Sequence, residues 1–176
     1  GKEDIAVKYE TLADKILTDI VAEYYSPNGR CCINTQTAAL LTLHEGLNRQ
    51  DRALQQLLTL LQNADDKLKT GFVGTPLLCE ELADHGQEKL ADKLLLNEEY
   101  PGWLHEVNLG ATTVWERWNS LDESGHISST GMNSLNHYAY GAVAAYIWKR
   151  LVGLNPVEDA PGFHKVQIIP HVNYSI

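Results

Sequence analysis

The sequence predicts an all-α fold of antiparallel helical hairpins that runs into a short β segment. Three observations carry this. Apolar residues recur at steps of three and four along most of the chain before the middle. The links between those stripes are short and hold Gly, Pro or polar residues. After Gly153 the pattern changes, with breakers around a short apolar run.

Ile5, Tyr9, Leu12, Ile16, Ile20 and Tyr24 make one apolar stripe, a helix of about six turns whose other faces carry Lys2, Glu3, Asp14 and Asp19. Ser26-Pro27-Asn28-Gly29 ends it in a turn. A second, more apolar helix is expected from Thr35 to Glu45, with Asn34 as N-cap and Gly46 at its end. Asp51 is placed to cap a third, with Leu54, Leu57, Leu58 and Leu61 along one stripe. Asp65 to Gly74 reads as a loop. Thr75 then caps a fourth helix with Pro76 at its first position, where a missing N–H costs nothing. Gly86 ends that helix, and Gln87 to Leu96 forms the fifth. A later helix is expected from Asn133 or Ser134 to Leu151, with Gly141, Ala142, Ala144 and Ala145 as a small-residue side and Gly153 as the stop. Asn155-Pro156 and Pro161-Gly162 are breakers, and Phe163 to Ile169 reads as a lone strand.

Short links make consecutive helices antiparallel neighbours. No constant period near the 33–34 residues of ankyrin or tetratricopeptide arrays occurs, so a repeat scaffold is disfavoured and a toroid of hairpins stays open. The expected boundaries are residues 1–153 for the helical domain and 154–176 for a linker and the first strand of a β domain.

The 176 residues, 44% of them hydrophobic, suffice for one domain with a sizeable core. A net charge of −9 without any basic cluster argues against a nucleic-acid partner. No apolar run approaches the roughly 20 residues of a membrane span, and the N-terminus lacks a signal-peptide pattern, so a soluble protein is expected. Cys31, Cys32 and Cys79 are odd in number and form no framework. They are expected as buried free thiols, which tilts the unknown compartment toward the cytoplasm. No Cys-x-x-Cys, His-x-x-x-His or glycine-rich phosphate loop occurs, so neither metal nor cofactor is expected.

The most informative stretch is Tyr100 to Tyr140. It holds Trp103, Trp115 and Trp118, the carboxylates Glu106 and Glu116, and His105, His126 and His137 among amides and hydroxyls. Aromatic faces beside acids and amides suit a sugar, whose C–H faces stack while its hydroxyls bond. Glu116, between Trp115 and Arg117-Trp118, can serve as a general base on water, as a sugar ligand, or as a structural charge beside Arg117. His137, after Asn133, Ser134 and Asn136, can donate to a sugar hydroxyl or carboxylate, or can be a structural histidine. His105 and Glu106 can simply face solvent, and His126 sits in an exposed Gly/Ser loop. No Gly-x-Ser-x-Gly elbow occurs, which leaves hydrolysis through carboxylates as the favoured chemistry.

At these residues the sequence resembles the bacterial α-L-rhamnosidases of glycoside hydrolase family 78. The resemblance runs through Gln36-Thr37-Ala38, Gly71-Phe72-Val73-Gly74-Thr75 and Tyr100-Pro101-Gly102-Trp103. It continues through Gly110-Ala111-Thr112-Thr113-Val114-Trp115-Glu116-Arg117-Trp118 and Met132-Asn133-Ser134-Leu135-Asn136-His137-Tyr138, and closes with Pro161-Gly162-Phe163 and Ile168-Ile169-Pro170. Family members often carry Ser at Gly102, Asp at Asn119 and Phe at Leu135. The resemblance implies the second half of an (α/α)6 toroid followed by the start of a β-sandwich. It implies inverting hydrolysis of terminal α-L-rhamnosyl groups, with Glu116 as general base, His137 as substrate ligand, and the general acid in the absent first half. Rhamnose-containing glycosides are the implied partners, with self-association through toroid surface left bare. The other function class is a helical fragment or carbohydrate-binding module that is inactive alone.

Overall fold

The computed structural model describes residues 1–128, 131–160 and 162–171. Two units divide the backbone, Gly1–Leu77 and Leu78–Ile176.

In the first unit, α1 (Glu3–Tyr24) is followed by the Ser26–Gly29 turn, closed by Gly29 N–H donating to Ser26 O at 2.8 Å. None of the α1 residues is buried, so its apolar stripe faces outward. Helices α2 (Gln36–His44) and α3 (Gln50–Gln62) form a hairpin whose facing residues are Ala39, Leu40 and Leu43 against Ala53, Leu57 and Leu61. These side chains are near-fully buried, and each Leu is worth about 1.5–3 kcal/mol when removed from water.

Two expected caps are corrected. The α2 N-cap is Thr35, whose hydroxyl accepts Ala38 N–H at 3.2 Å. Asn34 instead bonds Arg30 and Gln56. Asp51 lies inside the first turn of α3 and is paired with Arg49 at 2.7 Å, so it caps nothing. Gln36 ties the 65–74 loop to α2, donating to Lys67 O at 3.1 Å and accepting Lys69 N–H at 2.6 Å. Thr70 and Thr75 hydroxyls meet at 2.8 Å where that loop enters α4 (Thr75–Asp84), which runs on into the second unit.

The second unit continues with α5 (Glu88–Leu95) and α6 (Trp103–Asn108). The last helical run starts later than expected, at Ala139. It is a 3₁₀ turn (Ala139–Ala142), then α7 (Val143–Tyr146), then a π turn (Ile147–Leu151). Residues 131–138 are irregular because their polar groups are engaged elsewhere, as described below. The supposed small-residue packing side is also corrected: Ala144 and Ala145 are exposed, although Gly141 lies close to Val114.

Tyr146 is the anchor of this run: its hydroxyl donates to the buried Asp92 carboxylate of α5 at 2.8 Å. Lys149 reaches Glu80 at 3.1 Å, and Arg150 pairs with Asp84, so α4 is bound to the same run.

The strand has a partner. Leu154–Pro156 (β1) pairs antiparallel with Val166–Ile168 (β2), so the expected lone strand is half of a hairpin. Asn155-Pro156, expected as a breaker, lies within β1. Pro161 of the second breaker, and residues 172–176, fall outside the described residues. Gly153 supports the hairpin with φ of +74° and a close approach, since a Cβ there would sit 2.0 Å from Ile169 O.

All three cysteines are free. Cys31 and Cys79 are buried as expected, whereas Cys32 is exposed. Among the described residues no helix is long and apolar enough to cross a membrane.

Candidate functional site

Helix α6 lays the floor. Trp103 and Glu106 stand three residues apart, so one helix face carries both, and both are buried. Gly110 ends the helix with φ of +88°, a left-handed turn that a residue with a Cβ enters only with strain. Gly110 N–H closes on Val107 O at 2.9 Å and Ala111 N–H on Glu106 O at 3.0 Å. The chain therefore reverses, and residues 111–118 return past α6, which brings the Trp115 N–H near the Glu106 carboxyl.

Residues 114–116 are then bonded to 134–137. His137 N–H donates to Val114 O at 2.8 Å, and Glu116 N–H donates to Ser134 O at 2.9 Å. Ser134 N–H returns a bond to Glu116 Oε2 at 2.6 Å, and Thr113 Oγ1 donates to Leu135 O. Glu116 is thus bonded twice to one residue, once through its backbone and once through its carboxylate. That anchoring fixes its χ angles, because a charge-assisted bond to a backbone amide tolerates little rotation.

Asn133 Nδ2 donates to Ser120 O at 2.9 Å, and Arg117 Nη2 to Gly131 O at 3.3 Å. These bonds hold the two ends of the Asn119–Gly131 loop together. Within the loop, Leu121 bridges Ile127, and Asp122 Oδ1 accepts the N–H groups of Ser124 and His126, both at 2.9 Å.

The tryptophans, expected to offer their faces to a sugar, are instead packed inside. Trp103, Trp115 and Trp118 are all buried. Trp118 stacks on Tyr140 at 4.0 Å, Trp103 meets Trp118 edge-on at 5.3 Å, and Trp103 Nε1 donates to Tyr140 O at 2.9 Å. Trp103, Trp118 and Tyr140 thus form one packed aromatic cluster. The exposed ring at this edge is Tyr138, stacked on His137 at 5.2 Å. His137 is half-buried, and its Nδ1 accepts Ala139 N–H at 3.3 Å, which leaves the neutral ring's proton on Nε2.

The structure therefore brings the segments of Glu116 and His137 together, 21 positions apart in sequence. His105 stays on α6 against Tyr100, and His126 is exposed beside Asp122 at 3.7 Å. Sequence reasoning missed the burial of Glu106, although its three-residue spacing from Trp103 is a usable signal. Burial pushes its carboxyl up to about 7, against the pull of the Trp115 N–H. Tyr140, with its hydroxyl buried near Glu106, Tyr100 and Glu116, is pushed up to about 12, with Arg117 opposing. Among the described residues no three His, Cys, Asp or Glu side chains group in a way that could hold a metal. In the first unit a groove of about 470 Å³ is lined by Arg30, Asn34, Arg52 and Gln56 and has no carboxylate or imidazole for acid–base chemistry.

A family model described as the bacterial alpha-L-rhamnosidase 6 hairpin glycosidase domain matches residues 1–151. The alpha-L-rhamnosidase of Formosa agariphila is 40% identical over 175 residues, which is 97% of this chain and 19% of that protein. An Alteromonas alpha-L-rhamnosidase is also 40% identical, again over 19% of its length. The crystal structure of Streptomyces avermitilis alpha-L-rhamnosidase complexed with L-rhamnose superposes with a TM-score of 0.86 at 35% identity, covering 95% of this chain and 16% of that one. Native alpha-L-rhamnosidase from Aspergillus terreus gives 0.89 at 31% identity, covering 97% and 20%. The chain thus spans about a fifth of the relatives it matches.

Proposed function

This chain belongs to the bacterial α-L-rhamnosidase six-hairpin glycosidase family, and from that premise we propose that it is the base-bearing part of an enzyme that removes terminal α-L-rhamnosyl groups with inversion. The observation that carries the reading is the anchoring of Glu116. It is 8% exposed, and Ser134 N–H holds Oε2 at 2.6 Å, which leaves Oε1 to take a proton from water.

In the reaction, water attacks the anomeric carbon from the face opposite the leaving group as the glycosidic C–O bond breaks. Glu116 accepts the water proton, and a carboxylic acid gives one to the departing oxygen. Inversion asks for about 6.5–9.5 Å between the two carboxyls, room for that water. We place the acid in polypeptide outside these 176 residues, in keeping with the 19% coverage of the relatives. The chain alone is then inactive. His137 Nε2–H is oriented by the Nδ1 bond to Ala139 and donates to a sugar hydroxyl. Residues 1–153 form the helical part and 154–176 open a β domain. The outward stripe of α1 makes the isolated chain self-associate.

The test uses the longer polypeptide that carries the acid. Glu116→Gln keeps shape and the Ser134 bond but cannot take a proton, so kcat should fall by about 10²–10⁴ while rhamnose binding survives. His137→Ala should raise KM as well as lower kcat. A Glu116→Gln enzyme with near-normal kcat, or turnover of an aryl α-L-rhamnoside by the 176-residue chain, rejects the assignment.

A further inference from the structure

Tyr138 is 86% exposed, the most exposed of the large apolar and aromatic side chains among the described residues. So bare a ring adds little to the core. It lies instead almost parallel to the imidazole of His137, with 5.2 Å between ring centroids and 12° between planes. Offset stacking of this kind is attractive, and such a pair is worth about 2–10-fold in an equilibrium.

The half-buried His137 is held at its backbone, at Nδ1 and on one face of its ring. Its N–H donates to Val114 O at 2.8 Å, which ties it to the strand of backbone that carries Glu116 two residues on. Its Nδ1 accepts Ala139 N–H at 3.3 Å, beyond the usual length of such a bond. That contact selects which nitrogen carries the proton but holds the ring plane only loosely. The plane matters, because Nε2–H lies in it and points wherever it points. A second ring laid flat against the imidazole resists rotation out of that plane.

We propose that Tyr138 is a positioning residue for the reaction: its ring backs the imidazole of His137 and so aims Nε2–H at the sugar hydroxyl. This rests on the reading of His137 as a substrate ligand. Hydrogen bonds weaken steeply as the donor swings off line, so an imidazole without its backing ring holds the sugar less tightly. The contact is made by the ring, and the phenolic hydroxyl is not required for it.

The exposure of Tyr138 makes the test clean, since removing its ring opens no cavity and should leave the unfolding midpoint unchanged. In the 176-residue chain with labelled histidine, the His137 ring protons should lie upfield, under the tyrosine ring current, in the wild type and in Y138F. In Y138A they should move downfield. In the longer polypeptide that carries the acid, Y138A should raise KM for an aryl α-L-rhamnoside about 2–10-fold and lower kcat by less. Y138F should restore both. In an H137A background the same Y138A change should cost less than about 1.5-fold, because the ring acts through the imidazole. A Y138A penalty that persists undiminished in H137A overturns the proposal, since the ring would then touch the sugar itself. So does a Y138F enzyme as poor as Y138A, or a set of His137 ring protons that ignores the loss of Tyr138. If H137A keeps a normal KM, the reading of His137 falls and takes the proposal with it. If H137A raises KM and Y138A does not, the proposal falls alone.

Discussion

Glu106 makes the chain's stability depend on pH in a direction opposite to that of a salt-bridged acid. Its carboxyl is raised from 4.5 to about 7 in the folded chain, with burial as the main cause. A group raised on folding contributes fully below its unfolded value, and that contribution is lost as pH rises through the folded one. Each unit of displacement is worth 1.36 kcal/mol, so between pH 5 and pH 8 the wild type should lose about 2–3 kcal/mol through this residue alone. Glu106→Gln carries no such proton and keeps the shape of the side chain. Urea unfolding followed by tryptophan fluorescence, at both pH values and in both proteins, isolates the effect because every other titration is common to the pair. The variant should gain on the wild type by about 2–3 kcal/mol as pH rises. A difference that moves by less than about 0.5 kcal/mol would mean that the carboxyl is well solvated, and the reasoning from burial would fail.

Gly153→Ala should strain the backbone and push the new methyl into Ile169 O, costing more than about 1 kcal/mol and exposing the Ile169 amide, which now donates to Gly153 O at 2.9 Å, to rapid hydrogen exchange. Tyr146→Phe should cost about 1–3 kcal/mol in thermal unfolding, since the buried Asp92 carboxylate loses its 2.8 Å donor. The outward α1 residues Ile5, Tyr9, Leu12 and Ile16 should drive association of the isolated chain in sedimentation, and Leu12→Lys with Ile16→Lys should return it to monomer.

The first five helices were legible because their signals are local: a three-four apolar period, with a Gly or Pro at several of the ends. Their ends move by only a residue or two between expectation and structure. The caps were less legible. Asn34 and Thr35 are equally suited to the N-cap on local grounds, and the choice falls to Thr35 because Asn34 bonds Arg30 at 3.2 Å and Gln56 at 3.2 Å. The same logic removes Asp51, taken by Arg49. Asn-Pro hid β1, because a proline forbids a central strand but not a strand whose N–H edge is free.

The misjudged helix start at Asn133 or Ser134 shows why the candidate site resists local reading. Both residues are good helix openers, yet Ser134 spends its N–H on Glu116 Oε2, 18 positions upstream, and Asn133 its amide on Ser120 O, 13 upstream. The carbonyls of Ser134 and Leu135 are likewise taken, by Glu116 N–H and Thr113 Oγ1, and His137 N–H goes to Val114 O, so the run turns helical only at Ala139. The motif blocks around Glu116 and His137 pointed to these two segments, but nothing in either block says that they are bonded to each other. Glu106 is the sharper case. Propensity and polarity put a glutamate in Trp-Leu-His-Glu-Val on the outside, and only the partner of the neighbouring indole decides otherwise. Trp103 must bury its ring against Trp118 and deliver its N–H to Tyr140 O, and the face that does so carries Glu106 inward with it. Burial then raises the carboxyl toward neutrality, the form that a site shut off from water favours. Local preference and tertiary demand conflict here, and the conflict falls close to the segment that carries the residue proposed to do the chemistry.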